Sequence, residues 1–429
     1  MLIFILLFIL ILLFSVKLGG HEEDWRWRKA TKPIYRNIDF EPNYSRVLKN
    51  IKEEKFFPRH YREMISLKIG RRKIFFYELE FYMLFLKNLF RNKVKDVRAF
   101  LAEPQRVLVL HVGTKPGICS LQLIKYFSAF TFHYYNINTP PDMNPAHYPN
   151  LTINEGEFTN EIAKNYTENS KYLKSLFENT GGKKIYVLFV PDYVFLDEFH
   201  KIPDFKVDLK IQEDWVNIIK PDGMSLKMKT PWKDKKDIKY FEGDIYLEIR
   251  NGPSSSETRL VWFAQNLTKK ENKKKFIKKN YSNDSYNAKL FYWQRHQRLA
   301  YHNIEIAFTK KKKVDIFEKL SKQVLGLCHC YDCWSEVTVC HEFLKLTDPE
   351  YIDAIEQINK KIVISKLSNL MNNYSKGSHS TLDISPHNLL VNERDTNKRI
   401  ELAEKTTIKY VNKTITNTDA NYNRTIDKK

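Results

Sequence analysis

The apolar, β-rich run Arg106-Val-Leu-Val-Leu-His-Val112 breaks at Gly113-Thr-Lys-Pro-Gly117 and resumes as Ile118-Cys-Ser-Leu-Gln-Leu-Ile-Lys-Tyr126, with apolar residues at helical spacing. That order, strand then glycine turn then helix, restricts the chain to an α/β arrangement more than any other stretch does. Such a turn lets the backbone approach a nucleoside cofactor at the carboxyl end of a first strand, where open α/β sheets place ligands. The turn lacks the third glycine of the dinucleotide fingerprint and the GK[ST] ending of a P-loop. A turn of this kind also joins strands to helices for packing alone, so both readings stay open on the motif itself.

More elements follow in the order such a sheet needs. Phe132 to Ile137 reads as a second strand and Lys184 to Val190 as a fourth, ending at Pro191-Asp192. A helical stretch from Leu209 to Ile219 leads through Lys220-Pro-Asp-Gly223 to a strand at Met224 to Lys229, and Glu257 opens another that runs to Phe263. Upstream, Lys73 to Phe85 is an apolar run long enough for a buried helix. Four charged residues thereby fall at element ends: Lys73, Asp192, Lys227 and Glu257. Taken singly, each reads as a solvated strand end or helix start; as a set they suit methyl transfer to an alcohol. An aliphatic hydroxyl is a poor nucleophile until a base takes its proton, and a buried lysine beside a second cation can serve as that base, with carboxylates holding the ammonium groups in place.

Formal net charge is +20, with lysine clusters at Lys269 to Lys279 and Lys310 to Lys313. A chain this basic binds polyanions, which permits an RNA partner. With 42% apolar and 14% aromatic residues over 429 positions, there is ample material for one large core domain with appendages. Cys328, Cys330, Cys333 and Cys340, with His341, form a cluster that reads either as a structural zinc site or as buried reduced cysteines on a helix. Met1 to Val16 is almost unbroken apolar sequence followed by Lys17, Arg26, Arg28 and Lys29, so residues 1–20 are expected to be a signal-anchor or to reflect a misassigned start. From Leu367 to Lys429 the composition turns polar and predicts a disordered tail.

From about Ile38 to about Asn303 the segment order and spacing resemble the poxvirus cap-specific mRNA (nucleoside-2′-O-)-methyltransferase family, whose members double as the small, processivity-conferring subunit of the viral poly(A) polymerase. The matching positions are Lys73 with Glu78, Gly113 to Gly117, Asp192, Lys227 within Ser225-Leu-Lys-Met-Lys-Thr-Pro-Trp232, and Glu257 before Arg259-Leu260. The resemblance implies a Rossmann-like S-adenosylmethionine-dependent methyltransferase core with a central, mostly parallel sheet flanked by helices. It further implies the first transcribed nucleotide of capped mRNA as acceptor, Lys227 as the base, and a poly(A) polymerase catalytic subunit as a partner. Glu78, Gly113, Thr114, Pro116, Gly117 and Asn138 would hold the cofactor. Phe40 and Trp232 would sandwich the methylated guanine, a cation–π arrangement, and Asp234 would accept from the guanine edge. Two positions depart from the family pattern: Asn138 stands where an acidic residue accepts from the cofactor ribose, with Asp142 close by as a substitute, and Asn287 stands at a second guanine-contacting carboxylate.

The expected organisation is an N-terminal hydrophobic segment (1–20), a cap methyltransferase domain (21–320), a Cys/His-containing helical extension (321–366) and a polar tail (367–429). A viral-type protein of this kind is expected in the host cytoplasm or the virion, with membrane anchoring through residues 1–20 if that segment is used. The competing expectation is a non-catalytic RNA-binding processivity subunit, and a third is a membrane-tethered structural protein with a vestigial site.

Overall fold

The computed structural model describes residues 46–51, 53, 71–90, 94–113, 118–136, 147–192, 205–230, 236–249, 257–265, 267, 276–293, 297, 302–309, 312–324, 327 and 331–375. A short 3-10 turn at Leu48–Asn50 and helices α1 (Arg71–Phe90) and α2 (Val94–Leu101) precede the sheet. The run at Arg106 gives β1 (Val107–Val112), and its helical continuation gives α3 (Ile118–Tyr126). β2 (Phe130–Asn136) and β3 (Leu151–Glu155) follow, then α4 (Asn160–Lys164) and α5 (Lys171–Asn179). Next come β4 (Tyr186–Pro191), α6 (Phe205–Ile219) and β5 (Gly223–Met228). The remaining elements are β6 (Ile238–Phe241), β7 (Asp244–Tyr246), β8 (Thr258–Phe263), β9 (Lys278–Tyr281), α7 (Asn283–Tyr292), β10 (Glu305–Thr309) and β11 (Lys312–Asp315). Helices α8 (Phe317–Ser321), α9 (Tyr331–Thr347), α10 (Pro349–Glu356) and α11 (Lys360–Ser375) close the described chain. Side-chain oxygens cap several helix starts: Thr159 for α4, Ser170 for α5, Ser282 for α7, and Asp348 for α10, where Pro349 occupies the first turn.

Seven strands form one sheet in the order β3-β2-β1-β4-β5-β8-β7. The five from β3 to β5 run parallel, while β8 is antiparallel to both β5 and β7. Chain order runs outward from β1 to β3 and restarts on the other side at β4. The crevice beyond the carboxyl ends of β1 and β4 is therefore the topological switch point, the place where open α/β sheets bind ligands. At this level the expected fold class holds: a mixed α/β structure with a central, mostly parallel sheet flanked by helices, compatible with a Rossmann-like fold.

Alternation along the strands assigns residues to the two faces. Val107 and Val109 of β1 join Leu188 and Val190 of β4 in one apolar cluster, with Phe75, Phe81, Tyr82 and Phe85 of α1. Leu108 and Leu110 join Val187, Phe189, Leu226 and the inner residues of α6 in the other. Helix α1 is apolar nearly all round because it is covered on both sides: the sheet lies beneath it and α9 above. Each of its fully buried aromatic rings contributes roughly 1.5–3 kcal/mol of transfer free energy. Gly223, the first residue of β5, lies where β4 and β8 crowd in: a Cβ there would come within 2.7 Å of the Phe263 ring and 2.9 Å of Leu188 Cδ2.

One boundary moves. The polar tail expected from Leu367 does not begin there, because residues 367–375 continue α11 and Leu367, Leu370 and Met371 are buried in the core shared with α1 and α3. Their spacing places an apolar stripe on a helix whose other faces are Asn, Ser and Lys, which is why composition alone concealed it. Residues 376–429, like the N-terminal segment 1–20, lie outside the described residues. Among the described residues, no helix is long and apolar enough to cross a membrane.

Candidate active site

Three of the four expected charged residues converge at the carboxyl edge of the sheet. Asp192 follows β4 directly, Lys227 is the fifth residue of β5, and Glu257 immediately precedes β8. Since β8 is antiparallel to β5, its amino end meets the carboxyl end of β5, and Lys227 sits opposite Arg259 in the register. Period-2 alternation from Val190, Ser225 and Val261 puts Asp192, Lys227, Glu257 and Arg259 on the face beneath α1. Lys227 Nζ lies 3.2 Å from Asp192 Oδ1 and 3.4 Å from Glu257 Oε2, with the residue only 7% exposed. Lys73, the fourth member, is in the first turn of α1, one helical turn before Tyr77; its side chain lies outside what is described.

The group that ties the cluster together is Arg259. Its guanidinium donates to Asp192 Oδ1 at 2.5 Å, Glu248 Oε1 at 2.7 Å, the Pro191 carbonyl at 3.0 Å and Glu257 Oε1 at 3.5 Å, and it lies over the Tyr77 ring at 4.0 Å. Burial opposes the charge, but Tyr77 and the surrounding carboxylates outweigh it and hold the guanidinium protonated well past its ordinary range. Two cations, Lys227 and Arg259, thus face three carboxylates, and Asp192 and Glu257 each touch both cations.

Glu78 projects from α1 beside this cluster. Burial pushes its carboxyl well above the usual carboxylate range, and the neighbouring Asp192 charge pushes it further. The Tyr77 hydroxyl is near enough to favour the ionised form, yet neither Glu78 oxygen makes a hydrogen bond of ordinary geometry. His111 Nδ1 of β1 stands 3.6 Å away, while His111 Nε2 shares a 2.8 Å hydrogen bond with the Tyr82 hydroxyl and its ring stacks on Tyr134 at 4.3 Å. Burial drops the His111 pKa to about 3, so the imidazole is neutral at physiological pH. At the end of β1, Gly113 takes φ +86°, a conformation that favours glycine, and its N–H donates to the Tyr135 carbonyl at 2.9 Å.

The remaining expectations divide by position. Thr114, Pro116, Gly117, Asn138 and Asp142 lie outside the described residues, as do Phe40, Trp232 and Asp234. Asn287 is buried in α7: Thr230 donates to its carbonyl at 3.1 Å, and its amide donates to Asn283 at 2.9 Å. Its side chain is thus engaged in internal hydrogen bonds. Cys333 and Cys340 are buried along α9, where they pack into the core shared with α1. Cys328 and Cys330 lie outside the described residues, and among the described residues no group of three His, Cys, Asp or Glu side chains is placed to hold a metal ion.

Sequence reasoning named Arg259 only as a neighbour of Glu257, with no role, and did not mark Glu248, Tyr77 or His111. For Arg259 a signal was present: it is two residues after Glu257 on a strand, hence on the same face. For Tyr77 the signal was its place one turn after Lys73. Glu248 and His111 carried no such mark.

No family model matches this chain, and no curated protein matches its sequence.

Proposed function

We propose that the protein is a cap-specific mRNA 2′-O-methyltransferase that moves a methyl group from S-adenosylmethionine to the first transcribed nucleotide. The observation that carries this reading is the seating of Lys227 Nζ between Asp192 and Glu257 at the sheet's switch-point edge, with Arg259 bound to both carboxylates. The same residue types in the same order drew the resemblance to the poxvirus cap methyltransferases.

Two features of the chain fit the donor. Gly113, at positive φ, ends β1 where a nucleoside must approach the backbone, and Glu78 is a buried carboxyl with no hydrogen bond of its own beside the same crevice, suited to an ammonium group. When bound, S-adenosylmethionine supplies an electrophilic sulfonium methyl. The chain's part is to place and activate the acceptor. Lys227, once its own proton has gone to solvent, would as the neutral amine take the proton of the ribose 2′-hydroxyl as that oxygen turns nucleophile, and Asp192 and Glu257 fix the amine's position. Arg259 holds the other oxygen of Glu257 and shares Asp192 Oδ1 with Lys227, and so limits the rotation of both carboxylates. Positioning of this kind can lower the barrier by up to several kcal/mol, because the translational freedom of acceptor and donor is lost before the chemical step.

The test is methyl transfer from labelled S-adenosylmethionine to short RNAs with guanine-methylated, unmethylated and uncapped ends. Transfer to the 2′-oxygen of the first nucleotide, strongest with the methylated cap, is expected. Lys227→Ala should reduce it by about a thousandfold or more while donor binding persists. Retained turnover in that variant would remove Lys227 as the base. RNA binding without any transfer would move the reading to a non-catalytic processivity subunit.

A further inference from the structure

β4 and β5 are neighbours for only part of their length. Their parallel ladder contains Leu188↔Gly223 and Phe189↔Met224 and then stops, whereas the other edge of β5 is paired with β8 from Gly223 through Met228. Beyond Met224 the strands part, and β4 ends at Pro191, which has no N–H to offer. Lys227 lies in the unpaired stretch, so its peptide N–H and C=O on the β4 side need other partners. They find them in one side chain. Gln212, on α6 against the opposite face, reaches into the gap: its Oε1 accepts from the Lys227 N–H at 2.9 Å, and its Nε2 donates to the Lys227 carbonyl at 3.1 Å.

A carboxamide carries the donor and acceptor of a peptide unit, so Gln212 acts as a single-residue strand laid beside Lys227. The second proton of Nε2 goes to the Asp208 carbonyl, one turn back on α6, at 3.1 Å. Two carbonyls on the nitrogen side and an N–H on the oxygen side leave only one orientation of the amide, since a flipped group would press oxygen against both carbonyls. Gln212 is 1% exposed, so water does not compete for these bonds.

We infer that Gln212 is a positioning residue for Lys227: by fixing both polar groups of that peptide it sets where the Lys227 ammonium stands between Asp192 and Glu257. The strand gap needed to open a ligand crevice would otherwise leave the site's central residue on a loose strand end. This inference rests on the reading of Lys227 as the transfer base, and its test separates the two.

The experiment compares Gln212→Leu and Gln212→Glu with the wild-type chain in steady-state methyl transfer and in hydrogen exchange at the Lys227 amide. In the leucine variant, kcat should fall about ten- to a hundredfold with the donor KM within about twofold, and the Lys227 amide should exchange at least about tenfold faster. The glutamate variant keeps the shape, so it carries the test if the leucine variant fails to fold. Ionised, it can still accept from the Lys227 N–H but faces two carbonyls; protonated, it regains one donor. Its transfer rate relative to wild type should therefore rise as pH falls, a response that loss of packing would not produce. Wild-type kcat in both variants with unchanged Lys227 exchange overturns the inference. If the wild-type chain transfers no methyl group, the functional reading has failed, and the exchange measurement alone then decides whether Gln212 holds Lys227, with unchanged exchange again overturning it.

Discussion

The two halves of the central sheet treat buried polar groups in opposite ways. Around β1 and β2, where the ladder is continuous over six residue pairs, they are neutral and closed on one another. His133 shares hydrogen bonds with the Tyr166 hydroxyl at 2.9 Å and the Tyr172 hydroxyl at 2.8 Å, and Tyr166 bonds Tyr135 at 2.6 Å. Burial lowers the His133 pKa to about 4, as it lowers that of His111 to about 3. Around β4, β5 and β8, where the β4–β5 ladder breaks after two pairs, the buried groups are charged and held by multiple partners. The contrast follows from solvation: a sealed region favours neutral polar groups unless a charge is closely paired, as Arg46 is with Glu80, while a gap between strands offers backbone carbonyls, such as that of Pro191, as partners for a buried cation. Ionised chemistry is concentrated where the sheet comes apart.

The largest expected effect breaks the charged half. Arg259→Leu leaves Asp192, Glu248 and Glu257 without their shared cation and should cost about 3–5 kcal/mol in urea unfolding as well as all methyl transfer. A stability change below about 1 kcal/mol would show that the carboxylates are not held as charges by Arg259. Lys227→Ala comes next, on activity rather than on stability. Glu78→Gln sharpens the boundary between the halves. The folded protein raises the Glu78 pKa above its ordinary value near 4.5, so stabilisation from the protonated acid is complete below about 4.5 and is lost as pH climbs through the raised value. Glutamine does not ionise; the variant should be more stable than wild type at pH 8, with the gain shrinking toward pH 4.5. Thermal melts across that range check it, and a weaker donor affinity in the same variant would mark Glu78 as a cofactor ligand. The smallest effect belongs to the neutral half: Tyr166→Phe removes two hydrogen bonds at one hydroxyl and should cost about 1 kcal/mol. Because the His133 pKa falls from 6.5 to about 4 on folding, its contribution is present above 6.5 and fades as pH drops toward 4, which NMR titration of the imidazole would follow.

What the chain disclosed in advance depended on whether the signal was local. β1, α3 and β5 were legible because each is an apolar run bounded by glycine or proline, and Asp192, Lys227 and Glu257 were legible because strand ends can be read from such runs. β3 was passed over: Leu151-Thr-Ile-Asn-Glu155 alternates on a half-exposed edge and carries no apolar block. The role of Gln212 was beyond reach, since nothing near it announces that the peptide of Lys227, 15 residues on, will be left without a neighbouring strand. Asn287 stood out only as a departure from a guanine-contacting carboxylate, and nothing in that position announced that its carbonyl would accept from Thr230.

Helices α9 and α11 lie over α1 and α3, so Phe343, Leu344 and Leu367 complete a core begun by Phe75 and Phe81 almost three hundred residues earlier in the chain. During synthesis α1 must leave the ribosome long before the helices that cover it exist. The face of α1 that α9 and α11 cover is then without its partners until those helices have been made. A ribosome that stalls before Leu367 would therefore release an aggregation-prone fragment with α1 over the charged residues and the outer face of α1 incompletely covered.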